Sequence, residues 1–441
     1  MPRDSVKSDQ SESNRSGPAA SALVLNAGSS TFKLSVITGN DGNPCTAILH
    51  MPGGDDPYVL ELSVEGRPLQ TQTLGTRTRG HAMQDVLRTL QRECPPSVLQ
   101  DISVVGHRVV HGGTRFSAPV RMTPAVLLGL QSLSELAPLH NPGALDAMEA
   151  AREIFPQLPH VAVFDTAFFQ TLPELRWRYA VPRAWERDFG VRRFGFHGIS
   201  HRYCAMRVEH LLQRPLKNLR VVTCHLGAGS SATAIANGKA VATTMGFTPL
   251  DGMMMASRPG SLDPGLITYV LRHGEMSVDE LEHQLNYDSG MKAVSGISAD
   301  YQTIQRSARL GHEEAQLAIL MFADHVRQAI GALATTLGGI DVLAFTGGIG
   351  EHSATLRTAI CRPLAFLGIE LDEGLNAIEE EGDLLISAAS STTAVCVVQC
   401  REDLEIAREV RTRLSEEHHE NVRAFRRAKP ASTPLADFFG V

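Results

Sequence analysis

The sequence has no stretch approaching eighteen unbroken apolar residues, which argues against a membrane-spanning helix. Residues 1–20 are rich in Ser, Asp, Arg and Asn and have no apolar core, so we expect a disordered leader there and not a signal peptide. The 441 residues carry a formal net charge of only −7 with the basic residues scattered, which argues against a nucleic-acid surface. We therefore expect neither a membrane nor a nucleic acid among its partners.

Cysteine is sparse and irregular, with seven residues that form no CxxC pair and no regular spacing. Such usage is typical of reduced thiols and not of a disulfide framework. We therefore expect free thiols and a cytoplasmic protein. The cysteines are Cys45, Cys94, Cys204, Cys224, Cys361, Cys396 and Cys400.

A chain of 441 residues is too long for one comfortable core and fits two domains. Apolar strand-like runs alternate with helical patterns, which predicts mixed α/β domains. We place an N-terminal domain over residues 21–168 and a C-terminal domain over residues 169–403. A helix over residues 404–414 is predicted to return to the N-terminal domain, and a polar tail follows over residues 415–441.

Two turns of almost the same sequence lie far apart in the chain. Leu-Asn-Ala-Gly-Ser-Ser spans residues 25–30, and Leu-Gly-Ala-Gly-Ser-Ser spans residues 226–231. Each follows an apolar run and precedes an alternating segment, the pattern of a hairpin whose tip offers NH groups and hydroxyls to a phosphate. An ordinary hairpin would not be expected twice in this form, so the repeat predicts a duplicated domain with a nucleotide between the copies. A third glycine-rich loop, residues 346–351, follows a predicted strand and is a further phosphate or ribose candidate.

Polar residues around the first turn and at a strand end are candidates for binding phosphate or metal. Asn26 could hold a metal-bound water, and Ser29, Thr31 and Lys33 could meet phosphoryl oxygens or metal. Asp165 follows a predicted buried strand, where α/β sheets place ligand-binding groups, and could anchor magnesium through water.

Arginines and histidines beside glycine turns form a second candidate set. Arg108 and Arg258 are either solvated surface charges or a pair of guanidinium groups closing on a transferring phosphoryl group. The spacing of His197 and His225 fits no zinc pattern, so we expect hydrogen bonds to phosphoryl or carboxylate oxygens, or structural roles. Glu402 either anchors magnesium or favours the dipole at a helix start.

Taken in order, these segments resemble the acetate kinase family, from about Leu23 to about Val410. The resemblance implies an α/β fold of two duplicated domains of the actin, Hsp70 and sugar-kinase type, which is ribonuclease H-like, with a cleft between them. The motifs that carry it are Asn26-Ala-Gly-Ser-Ser-Thr-Phe-Lys33, His107-Arg-Val-Val-His-Gly-Gly113, Ala137-Pro-Leu-His-Asn-Pro142, Phe164-Asp-Thr-Ala-Phe168, Phe194-Gly-Phe-His-Gly-Ile-Ser-His201, His225-Leu-Gly227, Met245-Gly-Phe-Thr-Pro-Leu250, Arg258-Pro-Gly260, Leu262-Asp-Pro-Gly265, Phe345-Thr-Gly-Gly-Ile-Gly-Glu351 and Glu402-Asp-Leu-Glu-Ile-Ala407.

The resemblance implies reversible, direct in-line transfer of the ATP γ-phosphoryl group to acetate, giving acetyl phosphate and ADP. It also implies Mg²⁺, with Mn²⁺ as a substitute, and a homodimer. Propionate or butyrate as acceptor and a phosphoryl donor other than ATP are the alternatives. A sugar kinase or polyphosphate-dependent kinase, and a non-catalytic nucleotide-switched hinge protein, are more distant ones.

The resemblance also implies roles for single residues. Arg108 and Arg258 bind the carboxylate and the phosphoryl group, His197 stabilises the transition state together with Arg258, and Asp165 orients the acceptor. Because a carboxylate is already a nucleophile, a proton-abstracting role for Asp165 is not expected. Asn26 and Glu402 match the magnesium positions. The small substrate pocket is formed by Arg108, Val110, Leu139, Phe196 and Pro249. The nucleotide positions are Ser29, Thr31, Lys33, His225, Gly227, Ala228, Gly229, Asp300, Tyr301, Gln302, Gly348, Ile349, Gly350 and His352.

Two positions depart from the family pattern on the nucleotide side. Ala228 stands where an Asn is usual, and Gln302 stands where an Arg is usual. We expect one side-chain contact and one cationic contact to the nucleotide to be missing, which leaves the phosphoryl donor open.

Overall fold

Alternating apolar residues build two sheets in this chain. The computed structural model describes residues 20–28, 31–51, 56–75, 78–134, 137, 141–380 and 382–428, and side chains as far as residue 420. The predictions for residues 1–19, Ser29, Leu139 and residues 429–441 lie outside the described residues.

The strands are β1 (Ser21–Ala27), β2 (Thr31–Ile37), β3 (Cys45–His50), β4 (Tyr58–Val64), β5 (Gln70–Gly75), β6 (Ile102–Val109), β7 (Val120–Arg121), β8 (His160–Phe164), β9 (Arg220–Leu226), β10 (Ser230–Ala236), β11 (Lys239–Thr243), β12 (Val342–Thr346), β13 (Leu384–Leu385) and β14 (Ala394–Val397).

The helices are α1 (Arg79–Glu93), α2 (Pro96–Gln100), α3 (Pro124–Ser132), α4 (Asn141–Ile154), α5 (Glu174–Trp177), α6 (Arg183–Phe189), α7 (Gly198–Leu212), α8 (Pro264–His273), α9 (Val278–Tyr287), α10 (Gly290–Ser295), α11 (Tyr301–Arg309), α12 (Glu313–Leu337), α13 (Gly348–His352), α14 (Ala354–Cys361), α15 (Glu373–Asn376) and α16 (Glu402–Ala428). Short 3₁₀ helices span Ala167–Thr171, Leu216–Asn218 and Arg362–Leu367.

Both sheets are built on the same strand order. The first sheet runs β5-β4-β3-β2-β1-β6-β8-β7, and the second runs β11-β10-β9-β12-β14-β13. In the first, β3, β2 and β1 pair antiparallel, and β6 and β8 then follow parallel to β1. In the second, β11, β10 and β9 pair antiparallel, and β12 and β14 follow parallel to β9. The two glycine-serine turns join β1 to β2 and β9 to β10, so the predicted duplication is confirmed.

Successive apolar side chains of the central strands point to opposite faces, so they pack into separate cores on the two faces of each sheet. Leu23 and Leu25 of β1 face a core that includes α1 and α4, whereas Ala22 and Val24 face α16. The second sheet is covered by α12 on one face and by α7 on the other. The central strands are therefore buried on both sides, which fixes the strand ends that carry the site.

Helix α12 is, within the described residues, the one helix long and apolar enough to cross a membrane by length and composition. Its Phe322, Val326 and Ile330 are fully buried against the second sheet. A long apolar helix is expected at such a place, because its apolar stripe covers a sheet face.

Helix α16 leaves the second sheet and packs on the first. Ile406, Ala407 and Val410 are fully buried there. Gly106 of β6 permits the close approach, because a Cβ at this position would lie 2.9 Å from Ile406 Cγ2. The helix begins at Glu402 and runs to Ala428, so the segment expected as a polar tail from residue 415 starts as helix.

The expectation that all the cysteines are reduced is wrong in this structure. Cys45 and Cys94 form a disulfide, with their Cα atoms 6.1 Å apart. Cys45 begins β3 and Cys94 follows α1, which packs on that sheet, so tertiary packing brings together two residues 49 positions apart in the chain. The spacing of the cysteines in the sequence does not indicate this disulfide. Cys204, Cys224, Cys361, Cys396 and Cys400 are free.

Candidate active site

Three neighbouring strands of the first sheet bring Asn26, Arg108 and Asp165 together. Asn26 is on β1, Arg108 on β6 and Asp165 directly follows β8, and these strands are parallel neighbours. The Arg108 guanidinium donates to both Asp165 carboxylate oxygens, from Nε to Oδ1 at 3.2 Å and from Nη2 to Oδ2 at 2.6 Å. Its Nη1 donates to Asn26 Oδ1 at 2.9 Å. Arg108 is thus fixed by a two-point ion pair and an amide.

Charge and burial act against each other in this pair. Burial alone would lower the pKa of Arg108, but the carboxylates of Asp165 and Glu402 raise it overall. Burial raises the pKa of Asp165, while the guanidinium opposes that rise. The charged Arg108 favours the ionised form of Asp165 and engages both of its carboxylate oxygens.

Glu402 reaches this cluster from the first turn of α16. Asn26 Nδ2 donates to Glu402 Oε2 at 3.0 Å, and that oxygen lies 3.8 Å from Arg108 Nη1. Burial would raise the pKa of Glu402, but the charges of Arg108 and His225 lower it overall. A carboxylate and an amide carbonyl are hard oxygen donors, so Asn26 and Glu402 fit a magnesium ion in type. The helix that binds the first sheet therefore also delivers the acidic group.

His197 is held by a chain of buried polar groups. Its Nδ1 lies 2.9 Å from Ser231 Oγ, which lies 2.7 Å from His201 Nε2, and His201 Nδ1 lies 2.7 Å from Thr223 Oγ1. Burial first, and then the neighbouring His225 and Arg108, hold the pKa of His197 well below its usual value. A neutral imidazole with one nitrogen engaged by Ser231 leaves its other nitrogen for a ligand.

A strained turn places this histidine. His197 has a φ of 57°, in the left-handed region, and immediately precedes α7. Gly198 follows, and its NH donates to the Asp165 carbonyl at 3.0 Å. A Cβ at Gly198 would lie 2.0 Å from that carbonyl oxygen, so only glycine fits. The contact ties His197 to the strand end that carries Asp165.

Arg258 approaches His197 from the second half of the chain. A Cβ at Gly229 would lie 3.2 Å from His197 Nε2 and 3.8 Å from Arg258 Nη1, so both groups converge on this glycine. Within the described part of the chain, no carboxylate forms an ion pair with Arg258. Burial lowers the pKa of Arg258, yet the group stays charged. A half-buried guanidinium with no ion-pair partner among the described residues, beside a neutral imidazole, is suited in charge and donors to an anion.

A small apolar cluster lies next to these groups in the chain. Val110 follows Arg108 closely, Phe196 precedes His197, and both are buried with Phe194, Met245 and Met255. Phe247 packs against this cluster, and Pro249 is half-buried two residues later. The predicted pocket residues Val110 and Phe196 are brought together.

The second half contains a cleft of about 560 Å³. Eight predicted nucleotide residues line it, namely Gly227, Ala228, Asp300, Tyr301, Gln302, Gly348, Ile349 and His352. Arg306 and Arg309 of α11 also line it, one and two turns beyond Gln302, and sequence reasoning missed both. A helical spacing of 3–4 residues could have identified Arg306 as a cleft residue, since it places Gln302 and Arg306 on one face of the helix.

The other predicted nucleotide residues do not line that cleft. Gly229 lies beside His197, and Gly350 is buried against Leu226. Thr31 is exposed at the start of β2, and Lys33 Nζ lies 3.8 Å from Asp403 Oδ2.

His225 also lies away from the cleft, with its ring 4.3 Å from that of His197. His225 and Lys33 both lie near Glu402, on the side of the site where Asn26 and Glu402 meet. Ser231 and His201 were also missed as partners of His197, because their contacts arise from packing between α7 and β10.

Comparison with known proteins places the chain in one family. The profile of the Acetokinase family matches residues 21–408. Acetate kinase from Deinococcus radiodurans is 43% identical over 392 residues, which cover 88% of this chain and 96% of that protein. The crystal structure of Porphyromonas gingivalis acetate kinase matches with a TM-score of 0.82 at 36% identity, over 90% of this chain and 100% of that one. A propionate kinase structure from Francisella tularensis matches with a TM-score of 0.82 at 33% identity, over 88% and 98%.

These matches agree with the shared strand order of the two sheets and confirm the expected fold class of two duplicated α/β domains of the actin, Hsp70 and sugar-kinase type. The chain therefore belongs to the acetokinase family.

Proposed function

We propose that this protein is an acetate kinase, which transfers the γ-phosphoryl group of ATP to acetate and runs the reaction in both directions. One observation carries the proposal: Arg258, which has no ion-pair partner among the described residues, and the neutral His197 converge at Gly229, and His197 lies near Arg108 of the Arg108–Asp165 pair. Such a set of donors suits the meeting of two anions, because it offsets their repulsion without supplying a base.

In this mechanism a carboxylate oxygen of acetate attacks the γ-phosphorus, and the bond to the bridging oxygen of ADP breaks. The electron pair leaves with ADP, so no proton has to move. Arg258 and His197 donate to the phosphoryl oxygens, and Arg108, held by Asp165, orients the acceptor. When bound by Asn26 and Glu402, a magnesium ion supplies positive charge to the nucleotide phosphates.

ATP is the proposed donor, and the cleft beside Gly227 and Gly348 supports it. Gln302 lacks a charge, but Arg306 and Arg309 line the same cleft and offer the missing cationic contact. These side chains suit the phosphates of a nucleotide held along α11.

Acetate is the proposed best acceptor, with propionate slower and butyrate slower again. The apolar cluster of Val110, Phe194 and Phe196 is closely packed and buried. Each additional methylene in such a pocket changes the transition-state free energy by about 1–3 kcal/mol, so selectivity between acetate and propionate is modest.

Mg²⁺ with Mn²⁺ as substitute, a homodimer and a cytoplasmic location complete the proposal. The exposed apolar side chains Leu262, Leu266 and Tyr269 support a subunit contact. The proposed use of ATP supports a cytoplasmic location, and the net charge of −7 supports the absence of nucleic-acid partners.

Three measurements test these points. Light scattering should give twice the mass of one chain, and cell fractionation should place the protein in the cytoplasm. Removal of divalent ions by a chelator should abolish turnover until Mg²⁺ or Mn²⁺ is restored.

Hydroxylamine trapping tests the reaction itself. With acetate and ATP the protein should form acetyl hydroxamate, and none should form when acetate or ATP is omitted. Replacing ATP by pyrophosphate in a parallel reaction tests the donor. If no short-chain acid gives a hydroxamate with ATP, the proposed reaction is wrong.

A further inference from the structure

A thiol, an imidazole and a carboxylate meet beside the proposed magnesium residues. His225 is on β9, Cys400 lies between β14 and α16, and Glu402 is the first residue of α16. One ligand atom from each lies within 4.8 Å of the others, and all three residues are half-buried. Cys400 is also, among the free cysteines of the described residues, the one that is not fully buried.

This donor set differs from that of magnesium. Mg²⁺ takes oxygen ligands, whereas Zn²⁺ is bound by thiolate, imidazole and carboxylate together. Donor atoms around a tetrahedral zinc ion, with bonds of about 2.0–2.3 Å, lie roughly 3.5 Å apart. Because the three ligand atoms lie within 4.8 Å of one another, they would need to approach by at most about 1.3 Å to bind zinc.

Ser200 holds two of the three groups in place. Its Oγ lies 2.8 Å from His225 Nδ1 and 3.6 Å from Cys400 Sγ. The Cys400 NH donates to Glu351 Oε1 at 3.0 Å, which fixes the backbone at this position. Partners of this kind orient metal ligands in known sites.

The geometry of the three donors carries the site, because the charge of Glu402 also faces Arg108, whose Nη1 lies 3.8 Å from Glu402 Oε2. On binding, a metal–sulfur bond replaces the S–H bond of Cys400 and the proton passes to solvent. A water molecule completes four-coordination.

We propose that His225, Cys400 and Glu402 form a binding site for Zn²⁺ or a similar thiophilic divalent cation, and that its occupation inhibits the enzyme. The binding step does not depend on the proposed function. The inhibition does rest on it, because an ion held by Glu402 takes away a ligand proposed for magnesium.

Cobalt spectroscopy tests the binding step without substrate. Co²⁺ added to the whole protein should produce the near-ultraviolet charge-transfer band of a cobalt–thiolate bond, and Zn²⁺ should remove it by competition. Cys400→Ala should lose the band, whereas Cys361→Ala, which removes a free but fully buried thiol, should keep it. A wild-type protein without the band, or a band that survives in Cys400→Ala, would overturn the site.

Zinc inhibition tests the consequence. The ratio of acetyl hydroxamate formed with and without Zn²⁺, at constant Mg²⁺, is measured within each variant. Losing one ligand should raise the zinc concentration for half-inhibition by at least about tenfold in Cys400→Ala and leave it unchanged in Cys361→Ala. Equal zinc sensitivity in both variants would refute the inhibitory role. Failure of the proposed function would appear separately, as no hydroxamate in the absence of zinc while the cobalt band is present.

Discussion

Arg108 and Arg258 differ in what surrounds them. Arg108 is engaged by Asp165 and Asn26 and lies close to Glu402. Arg258 has no ion-pair partner within the described residues, although it is half-buried. The first guanidinium is therefore fixed by neighbouring side chains, whereas the second has no such partner among the described residues and we propose that it binds a ligand.

This difference predicts opposite effects on stability. Arg108→Ala should lower the free energy of unfolding by about 3–5 kcal/mol, because Asp165 and Glu402 then remain as buried carboxylates without their cation. Arg258→Ala should leave stability unchanged or raise it, while reducing kcat strongly. Denaturant unfolding of both variants makes the comparison. Equal destabilisation by the two substitutions would contradict these roles.

Ser231 is predicted to act through His197. Ser231→Ala removes the partner of His197 Nδ1 and should lower kcat by about 10–100-fold with little change in the KM for ATP, because the imidazole loses its orientation. Ser231→Thr, which keeps the hydroxyl, should restore most of kcat.

Ser230→Ala is the matched control for this variant. Ser230 is equally buried, but its hydroxyl donates to the Gly227 carbonyl and not to a histidine. A similar loss of kcat in Ser230→Ala and Ser231→Ala would show that only general packing matters.

At the scale of elements, α16 joins the two halves of the chain. It starts beside the second sheet, carries Glu402 at its first residue, and buries Ile406 and Val410 on the first sheet. Packing of this helix therefore determines where the carboxylate lies.

Ile406→Ala should destabilise the protein by about 2–5 kcal/mol, because it opens a cavity against Gly106. It should also raise the Mg²⁺ concentration needed for half-maximal turnover, since Glu402 lies one turn away. Thr412→Ala on the exposed face of the same helix should change stability by less than about 0.5 kcal/mol. Urea unfolding and magnesium titration provide the two measurements, and an unchanged magnesium requirement in Ile406→Ala would contradict the link.

Elements with a regular spacing of apolar residues could be predicted from the sequence, whereas contacts between residues far apart in the chain could not. Helix α12, Glu313–Leu337, has apolar residues at helical spacing, and such a pattern can be recognised in the sequence. The length of α16 was missed because residues beyond 414 are polar, and polar helices carry no apolar period. Motifs also located Arg108 and Asp165, but their two-point pairing, the Ser231 contact and the Cys45–Cys94 disulfide depend on distant packing that spacing does not encode.

At the scale of the whole molecule, one topology is used twice for different tasks. The hairpin β1–β2 carries the polar residues Asn26 and Lys33, whereas β9–β10 places Gly227 and Ala228 in the cleft proposed to hold the nucleotide. The strand order is shared, but the side chains beside each turn differ. The chemistry follows from those side chains and not from the duplication.

Buried histidines predict loss of stability in acid. Burial lowers the pKa of six of them, His107, His111, His160, His197, His201 and His225, and brings that of His111 to about 4. In the unfolded chain these imidazoles bind protons near pH 6.5, whereas in the folded chain they stay neutral. The free energy of unfolding is therefore highest above that pH and falls as the pH drops towards 4. His111 alone should lower the free energy of unfolding by about 3 kcal/mol between neutral pH and pH 4.

Urea unfolding between neutral pH and about pH 5 measures this slope. His111→Gln should reduce it, whereas His283→Gln, on the exposed surface, should leave it unchanged. A free energy of unfolding that stays constant or rises as the pH falls would contradict the account.

The most direct measurement of the central claim is kcat/KM for a series of acids with ATP as donor. The account predicts acid-dependent acyl phosphate formation with acetate best, then propionate, then butyrate, each methylene costing about 5–150-fold as expected for 1–3 kcal/mol. No acid-dependent turnover, or a preference for butyrate over acetate, would contradict it.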